Sequence, residues 1–161
     1  MATLMESTAT MQVYRVYIQA SPEQIWDAIT KPEWNERYGY RCRQEYDLRP
    51  GGSYRGLANE EMKQTGVGDV IVDGEVVEAD PPHKLVQTWR AAWTGDGFTR
   101  LTYEIAPGLG GVTSLTVIHE LEGAPNTAAQ VAGAIEGAGG GWAEVLSDLK
   151  TLLETGKPLY V

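Results

Sequence analysis

The last third of the chain limits what the rest can fold into. From Asn126 to Gly156, NTAAQVAGAIEGAGGGWAEVLSDLKTLLETG, the residues Ala128, Ala132, Ile135, Gly139, Trp142, Leu146, Leu149 and Leu153 recur at gaps of four and three. That spacing lines up one face of an α-helix. Val131, Ala138, Val145 and Leu152 widen the stripe to the width a core-facing helix needs. Glu136, Glu144, Asp148, Lys150, Thr151 and Glu154 fall on the opposite face and are expected in solvent. Asn126 is the expected N-cap, and Gly156 before Lys157-Pro158 the expected stop. The stripe is bulky from Trp142 onward and small before it, with Gly133, Gly137, Gly139, Gly140 and Gly141 among the alanines. Each interior glycine costs a helix about 1 kcal/mol relative to alanine. Three resolutions are open: a break near Gly139–Gly141 with a restart at Trp142, a hollow for a ligand beneath the small half, or close packing of that half on a sheet.

A long apolar helix needs a surface to lie on, and the preceding residues supply strands. Val13–Gln19 reads as a strand, rich in β-branched and aromatic residues. Ser21-Pro22-Glu23-Gln24 then opens a helix, with serine as cap, proline preset for the first turn and Gln24 completing a capping box. It carries Ile25, Trp26 and Ile29 to Thr30-Lys31, and a second short helical segment, Pro32–Tyr38, holds Trp34. Six strands separated by turns follow: Arg43–Leu48, Ser53–Leu57, Val67–Ala79 with Gly74 as its expected bulge, Lys84–Ala91, Phe98–Ile105 and Val112–Leu121. Ala58–Gly66 is expected as a polar loop. Strands joined by tight turns make an antiparallel sheet with one face to cover, and the C-terminal helix is the one element long enough to cover it. The expected class is therefore α+β, with residues 1–11 a mobile arm and 12–161 a single domain.

Composition narrows the function. The 161 residues suit one domain, and a formal net charge of −9 argues against nucleic-acid phosphates and anionic membranes as partners. No apolar run reaches the length of a bilayer span, and MATLMESTATM lacks the basic and apolar regions of a signal peptide. A single cysteine, Cys42, fits a cytoplasmic location. Two histidines and one cysteine give no metal-ligand spacing, and no glycine-rich phosphate loop or nucleophile elbow is present. No cofactor is expected. Eight Tyr and five Trp stand against one Phe. Tyrosine and tryptophan carry polar tips that want partners when buried, so the skew suits a polar-edged cavity or an interaction surface.

The order and content of four patches resemble a known family. They are Ile18–Thr30 with its Ser21-Pro22 entry, Gly74–Leu85 followed by Thr88-Trp89, Leu115–Glu120, and Gly141-Trp142 with Leu146, Leu149 and Leu153. Together they resemble the heat-shock protein 90 ATPase activator homolog (AHSA1-like) branch of the START/polyketide-cyclase-like SRPBCC superfamily. The resemblance covers roughly residues 13–156. It implies a helix-grip fold of the START/Bet v 1 type: a curved antiparallel sheet wrapped on a long C-terminal helix, with two short helices after the first strand. Fold does not fix function. Three readings stay open: a binder of a small, mostly hydrophobic molecule held between sheet and helix, a chaperone-linked or self-associating module such as a homodimer, and a cyclase- or hydrolase-like enzyme.

Candidate ligand contacts follow from strand faces and the helix stripe. His119 shares a face with Leu115, Val117 and Leu121, so it is a polar anchor, an acid/base, or a structural histidine. Glu75 is a proton-transfer carboxylate if it points inward and a solvated strand residue if it does not. Tyr54, Trp89 and Tyr103 line a cavity or fill a core. Ile135, Gly139 and Trp142 come from the helix, with Trp142 at the boundary of its two halves. Trp34 and Tyr38 come from the segments after the first strand. Tyr38, Tyr40, Trp93 and Phe98 sit near loops, where aromatics rim a pocket mouth or a dimer face.

Overall fold

In the computed structural model, residues 10–160 are described. The strands are β1 (Met11–Gln19), β2 (Gln44–Tyr46), β3 (Ser53–Leu57), β4 (Val70–Asp80), β5 (Lys84–Ala91), β6 (Thr99–Pro107) and β7 (Val112–Glu120). They form one antiparallel sheet in the order β1-β7-β6-β5-β4-β3-β2. From β2 to β7 each strand lies beside its neighbour in sequence. The first strand closes on the last, from Met11 opposite Glu120 to Gln19 opposite Val112. Of the expected arm over 1–11, residues 1–9 lie outside the described residues. Met11 is not part of an arm, since it already pairs in β1.

Two short helices, α1 (Pro22–Thr30) and α2 (Pro32–Asn35), follow β1. The capping box at Ser21 forms in full. The Gln24 amide donates to Ser21 Oγ at 3.2 Å, and the Ser21 amide donates to Gln24 Oε1 at 2.8 Å. The loop expected over 58–66 contains a further turn of helix, α3 (Glu60–Lys63), capped by Asn59. The bulge of β4 lies between Val76 and Glu78, not at Gly74. Gly74 serves a different need: a Cβ there would stand 1.9 Å from the Thr88 carbonyl oxygen. A second irregularity in register, between Gly56 and Leu57, adds to the bend of the sheet.

The C-terminal stretch is two helices, not one: α4 (Pro125–Val131) and α5 (Gly141–Thr155). Of the three resolutions open in the sequence, the break is the one taken, and it is longer than a kink. Gly133, Gly137, Gly139 and Gly141 all have left-handed φ angles between 67° and 89°. At two of them the backbone also leaves no room. A Cβ on Gly133 would meet the Gly140 carbonyl oxygen at 2.5 Å, and one on Gly141 would meet that of Val131 at 2.2 Å. The linker is thus a tight backbone crossing that glycine alone accommodates. The expected cap at Asn126 is also displaced. Pro125 is the first helical residue, and the Asn126 side chain donates to the Thr94 carbonyl. Asp96, from the β5–β6 loop, accepts the Thr127 amide at 2.7 Å and so satisfies the first turn of α4 from outside.

Helix α5 lies across the concave face of the sheet, and Gly156 ends it in the left-handed conformation as expected. Leu146, Leu149 and Leu152 enter one core with Ile18, Ile25, Leu85, Leu101, Ile105, Leu115 and Val117. Asp148 departs from its expected solvent position and is 2% exposed. Its two oxygens accept the amides of Gly39 at 2.8 Å and Leu159 at 2.7 Å. A buried carboxylate is tolerated where its lone pairs are taken by donors. The short helix α4 packs separately, with Ala128 and Val131 against Leu121.

Candidate ligand cavity

Where α4 breaks from α5, the sheet is left partly uncovered, and a cavity of about 720 Å³ opens there. Strands β3 to β6 supply its floor with Tyr54, Ile71, Val72, Trp89 and Tyr103. Helix α5 supplies one wall with Trp142, Val145, Leu146 and Leu149, and the α2–β2 loop supplies Tyr38, Tyr40 and Cys42. The mouth is formed by Ile135, Gly137, Ala138 and Gly139 of the glycine linker, with Trp93 and Met62 across from them. Side-chain bonds hold the linker in place. Gln130 Nε2 donates to the Ala138 carbonyl at 2.9 Å, Tyr40 Oη donates to the same carbonyl, and Trp93 Nε1 donates to Gln130 Oε1 at 3.2 Å.

Tyrosine hydroxyls gather at the floor. Tyr46 Oη donates to Gln87 Oε1 and Tyr54 Oη to Gln44 Oε1, each at 2.6 Å, while Tyr38 Oη donates to the Ala28 carbonyl at 2.9 Å. The rings of Tyr46 and Tyr54 lie 4.7 Å apart. Burial pushes the phenols of Tyr38, Tyr46, Tyr54 and Tyr103 above their ordinary value, so all four stay protonated. Burial also pushes the Cys42 thiol up to about 11, which removes its nucleophilic form at neutral pH.

Of the expected contacts, Tyr38, Tyr54, Trp89, Tyr103, Ile135, Gly139 and Trp142 are brought together around this space. Four are not. Trp34 is half-buried against the core, with the Arg37 guanidinium 4.8 Å from its ring. Glu75 is exposed to solvent, which answers the question its strand position left open. Val117 is core. His119 does point inward, but it sits behind the cavity wall, fully buried and bonded at both nitrogens. Loss of hydration lowers its pKa to about 3, so it is neutral at physiological pH. A neutral imidazole with both nitrogens engaged and no contact with the cavity has no role as an acid or base there. Phe98, expected at a rim, instead stacks under the Arg90 guanidinium at 4.2 Å.

Sequence reasoning missed Gln44, Gln130, Cys42 and Met62 as lining residues. Glutamines carry no periodic signal, and Met62 sits on the turn of helix hidden in an apparent loop. Among the described residues, no group of three or more His, Cys, Asp or Glu side chains is placed to hold a metal ion. No described helix is long and apolar enough to cross a membrane.

Known proteins place this architecture. The sequence matches the family described as "Activator of Hsp90 ATPase homolog 1-like protein" over residues 19–154. No curated protein matches the sequence. Among solved structures, CalU16 from Micromonospora echinospora aligns with a TM-score of 0.66 at 18% identity, over 91% of this chain and 77% of its own. A protein of Rhodobacter sphaeroides aligns with a TM-score of 0.63 at 26% identity, over 89% and 92%. An Hsp90 activator from Plasmodium falciparum aligns with a TM-score of 0.59 at 22% identity, over 94% and 92%. The chain thus shares with these proteins the helix-grip arrangement of sheet and C-terminal helix.

Proposed function

We propose that this chain, which belongs to the activator of Hsp90 ATPase homolog 1-like family, binds a small, mostly hydrophobic molecule between its sheet and its C-terminal helices. The cavity of about 720 Å³ carries the reading. Protein interiors close to near-crystalline density, and gaps much larger than a water are few. A space in the range of small-molecule sites, walled by Trp89, Trp142, Ile71 and Leu149, is what a bound apolar ligand needs. The glycine linker supports the same reading, because it lifts the chain away from the sheet where a continuous helix would have covered it. Seven of the expected contacts, Tyr38, Tyr54, Trp89, Tyr103, Ile135, Gly139 and Trp142, are proposed to touch the ligand. A single cysteine supports a cytoplasmic location.

A thermal-shift panel of lipids, aromatic polyketides and hydrophobic dyes tests the proposal. A ligand present at 100 times its Kd adds about 2.7 kcal/mol of stability. Ile135→Trp, at the exposed mouth, is expected to slow association while leaving the unliganded melting temperature close to wild type. No stabilisation anywhere in the panel rejects the proposal.

One observation favours a second reading, a self-associating or chaperone-linked module. Met11, Val13 and Tyr17 project from edge strand β1, at 48%, 56% and 59% exposure. Apolar groups on an unpaired edge invite a partner. Sedimentation of wild type and of a Val13→Lys, Tyr17→Lys double variant, alone and with a purified Hsp90 chaperone, tests it. Monomers in every mixture reject it.

A further inference from the structure

We propose that the cavity selects an uncharged, ring-containing ligand that presents a hydrogen-bond-accepting oxygen, such as a ketone carbonyl, and that the Tyr103 hydroxyl is the anchor for that oxygen. This rests on the ligand-binding reading above.

The inference comes from accounting for polar groups. Tyr38, Tyr46 and Tyr54 each spend their hydroxyl proton within the protein. Tyr103 is 8% exposed, and its hydroxyl stands beside that of Tyr46, whose proton goes to Gln87, without a hydrogen bond of good geometry to any described residue. No fully buried side-chain nitrogen or oxygen among the described residues lacks a partner. The Tyr103 oxygen is therefore in touch with open space, and the space its side chain lines is the cavity. Two further lining groups are unspent in the same sense. Gln44 gives its Oε1 to Tyr54 and donates its amide N–H groups to no described residue, and the Trp89 indole N–H stands beside the Tyr54 oxygen without a hydrogen bond of good geometry.

The available protons are those of Tyr103, Gln44 and Trp89, while each acidic or amide oxygen of the lining already holds one partner. Gln44 Oε1 is taken by Tyr54 and Gln130 Oε1 by Trp93. Glu144 is taken by the Gly140 amide and the Tyr160 hydroxyl. A ligand that accepts uses those protons, which an apolar ligand would leave without partners.

Charge decides which acceptor is suitable. Among the described residues the lining contains no Lys, Arg or His, and its one acidic residue is Glu144. A carboxylate or phosphate would be buried without a counter-charge and beside a negative group, which is unfavourable. A neutral carbonyl avoids that cost. Tyr54, Trp89, Tyr103 and Trp142 supply flat walls to stack on.

Three matched molecules test this on the full chain by isothermal titration: 2-acetylanthracene, 2-ethylanthracene and anthracene-2-carboxylate. Wild type is expected to bind the ketone at least tenfold more tightly than the carboxylate at pH 7. Tyr103→Phe should weaken the ketone about five- to tenfold, the equivalent of one neutral hydrogen bond, and change ethylanthracene less than twofold. The variant loses at most the contact with the Tyr46 hydroxyl, and a wild-type melting temperature confirms that it folds. Equal or tighter binding of the carboxylate overturns the inference, as does an equal effect of Tyr103→Phe on ketone and hydrocarbon. In those cases binding itself persists and the cavity reading stands. If none of the three binds, both fall.

Discussion

The Trp142 indole N–H donates to Nδ1 of His119 across 3.1 Å, and this contact fixes the histidine's proton. An indole nitrogen can only donate, so Nδ1 must accept and the ring proton lies on Nε2. Nε2 then donates to Thr99 Oγ1 at 2.8 Å, and Thr99 passes its own proton to the Trp89 carbonyl at 2.8 Å. The chain of bonds ties the start of α5 through β7 and β6 to β5, beside two aromatic walls of the cavity. Trp89 and Trp142 each meet the His119 ring edge-on, at centroid distances of 5.3 and 6.1 Å.

Trp142→Phe keeps an aromatic ring but deletes the donor and the pyrrole part of the indole. Nδ1 of His119 is then buried without a partner, which costs about 1–3 kcal/mol. Urea unfolding should show a lower midpoint with an unchanged slope. A variant as stable as wild type would mean the bond contributes nothing net.

His119 also predicts a pH dependence. Its pKa is lowered from 6.5 to about 3 in the folded chain, so the unfolded state takes up a proton first. Stability is complete above about pH 6.5 and is lost as the pH falls toward 3. Linkage gives a loss of about 2 kcal/mol between pH 7 and pH 5. Glu45 and Glu154 are held low by Arg55 and Lys150, so their contributions persist above the ordinary carboxylate value and are lost only below it. Denaturation midpoints across pH 5–7, with the His119 ring shifts followed by NMR, check the effect. A ring that titrates near 6.5 in the native protein refutes it.

The glycine linker predicts unequal costs for the same substitution. Gly137→Ala meets only the left-handed φ penalty of about 1 kcal/mol, since its Cβ would find open space. Gly133→Ala and Gly141→Ala add a backbone collision and should each cost at least twice that. Thermal melts of the three variants should rank Gly137→Ala as the mildest. Equal losses would show that the linker relaxes freely.

Asp148 holds two segments at once. Asp148→Ala removes the acceptor of the part-buried amides of Gly39 and Leu159, with an expected loss of about 1–2 kcal/mol in all, since water can reach part of each site. Hydrogen exchange at those two amides should accelerate selectively. Exchange that stays slow at both would assign their protection to other contacts.

Much of the fold was legible because its signals are local. The capping box at Ser21, the strands Ser53–Leu57 and Lys84–Ala91, and the stop at Gly156 each depend on residues a few positions apart. The inward face of Leu115, Val117 and His119 followed from a period of two. Asp148 could not be read, because its partners at Gly39 and Leu159 come from other segments and a helix-face argument sees only a carboxylate among polar neighbours. Gln44 and Gln130 were equally silent, since an amide gains meaning from what it faces.

The antiparallel sheet, the bulky half of the last helix and the order in which they meet can be read along the chain, because propensity, alternation and capping act between near neighbours. Tertiary structure alone decided that the small half would leave the helix. The crossing of Gly133 with Gly140 and of Gly141 with Val131 depends on backbones seven and ten residues apart, and the cavity exists only where that crossing meets Tyr54, Trp89 and Tyr103 of the sheet. Helical periodicity cannot register such contacts, because each is a property of two segments and belongs to neither alone.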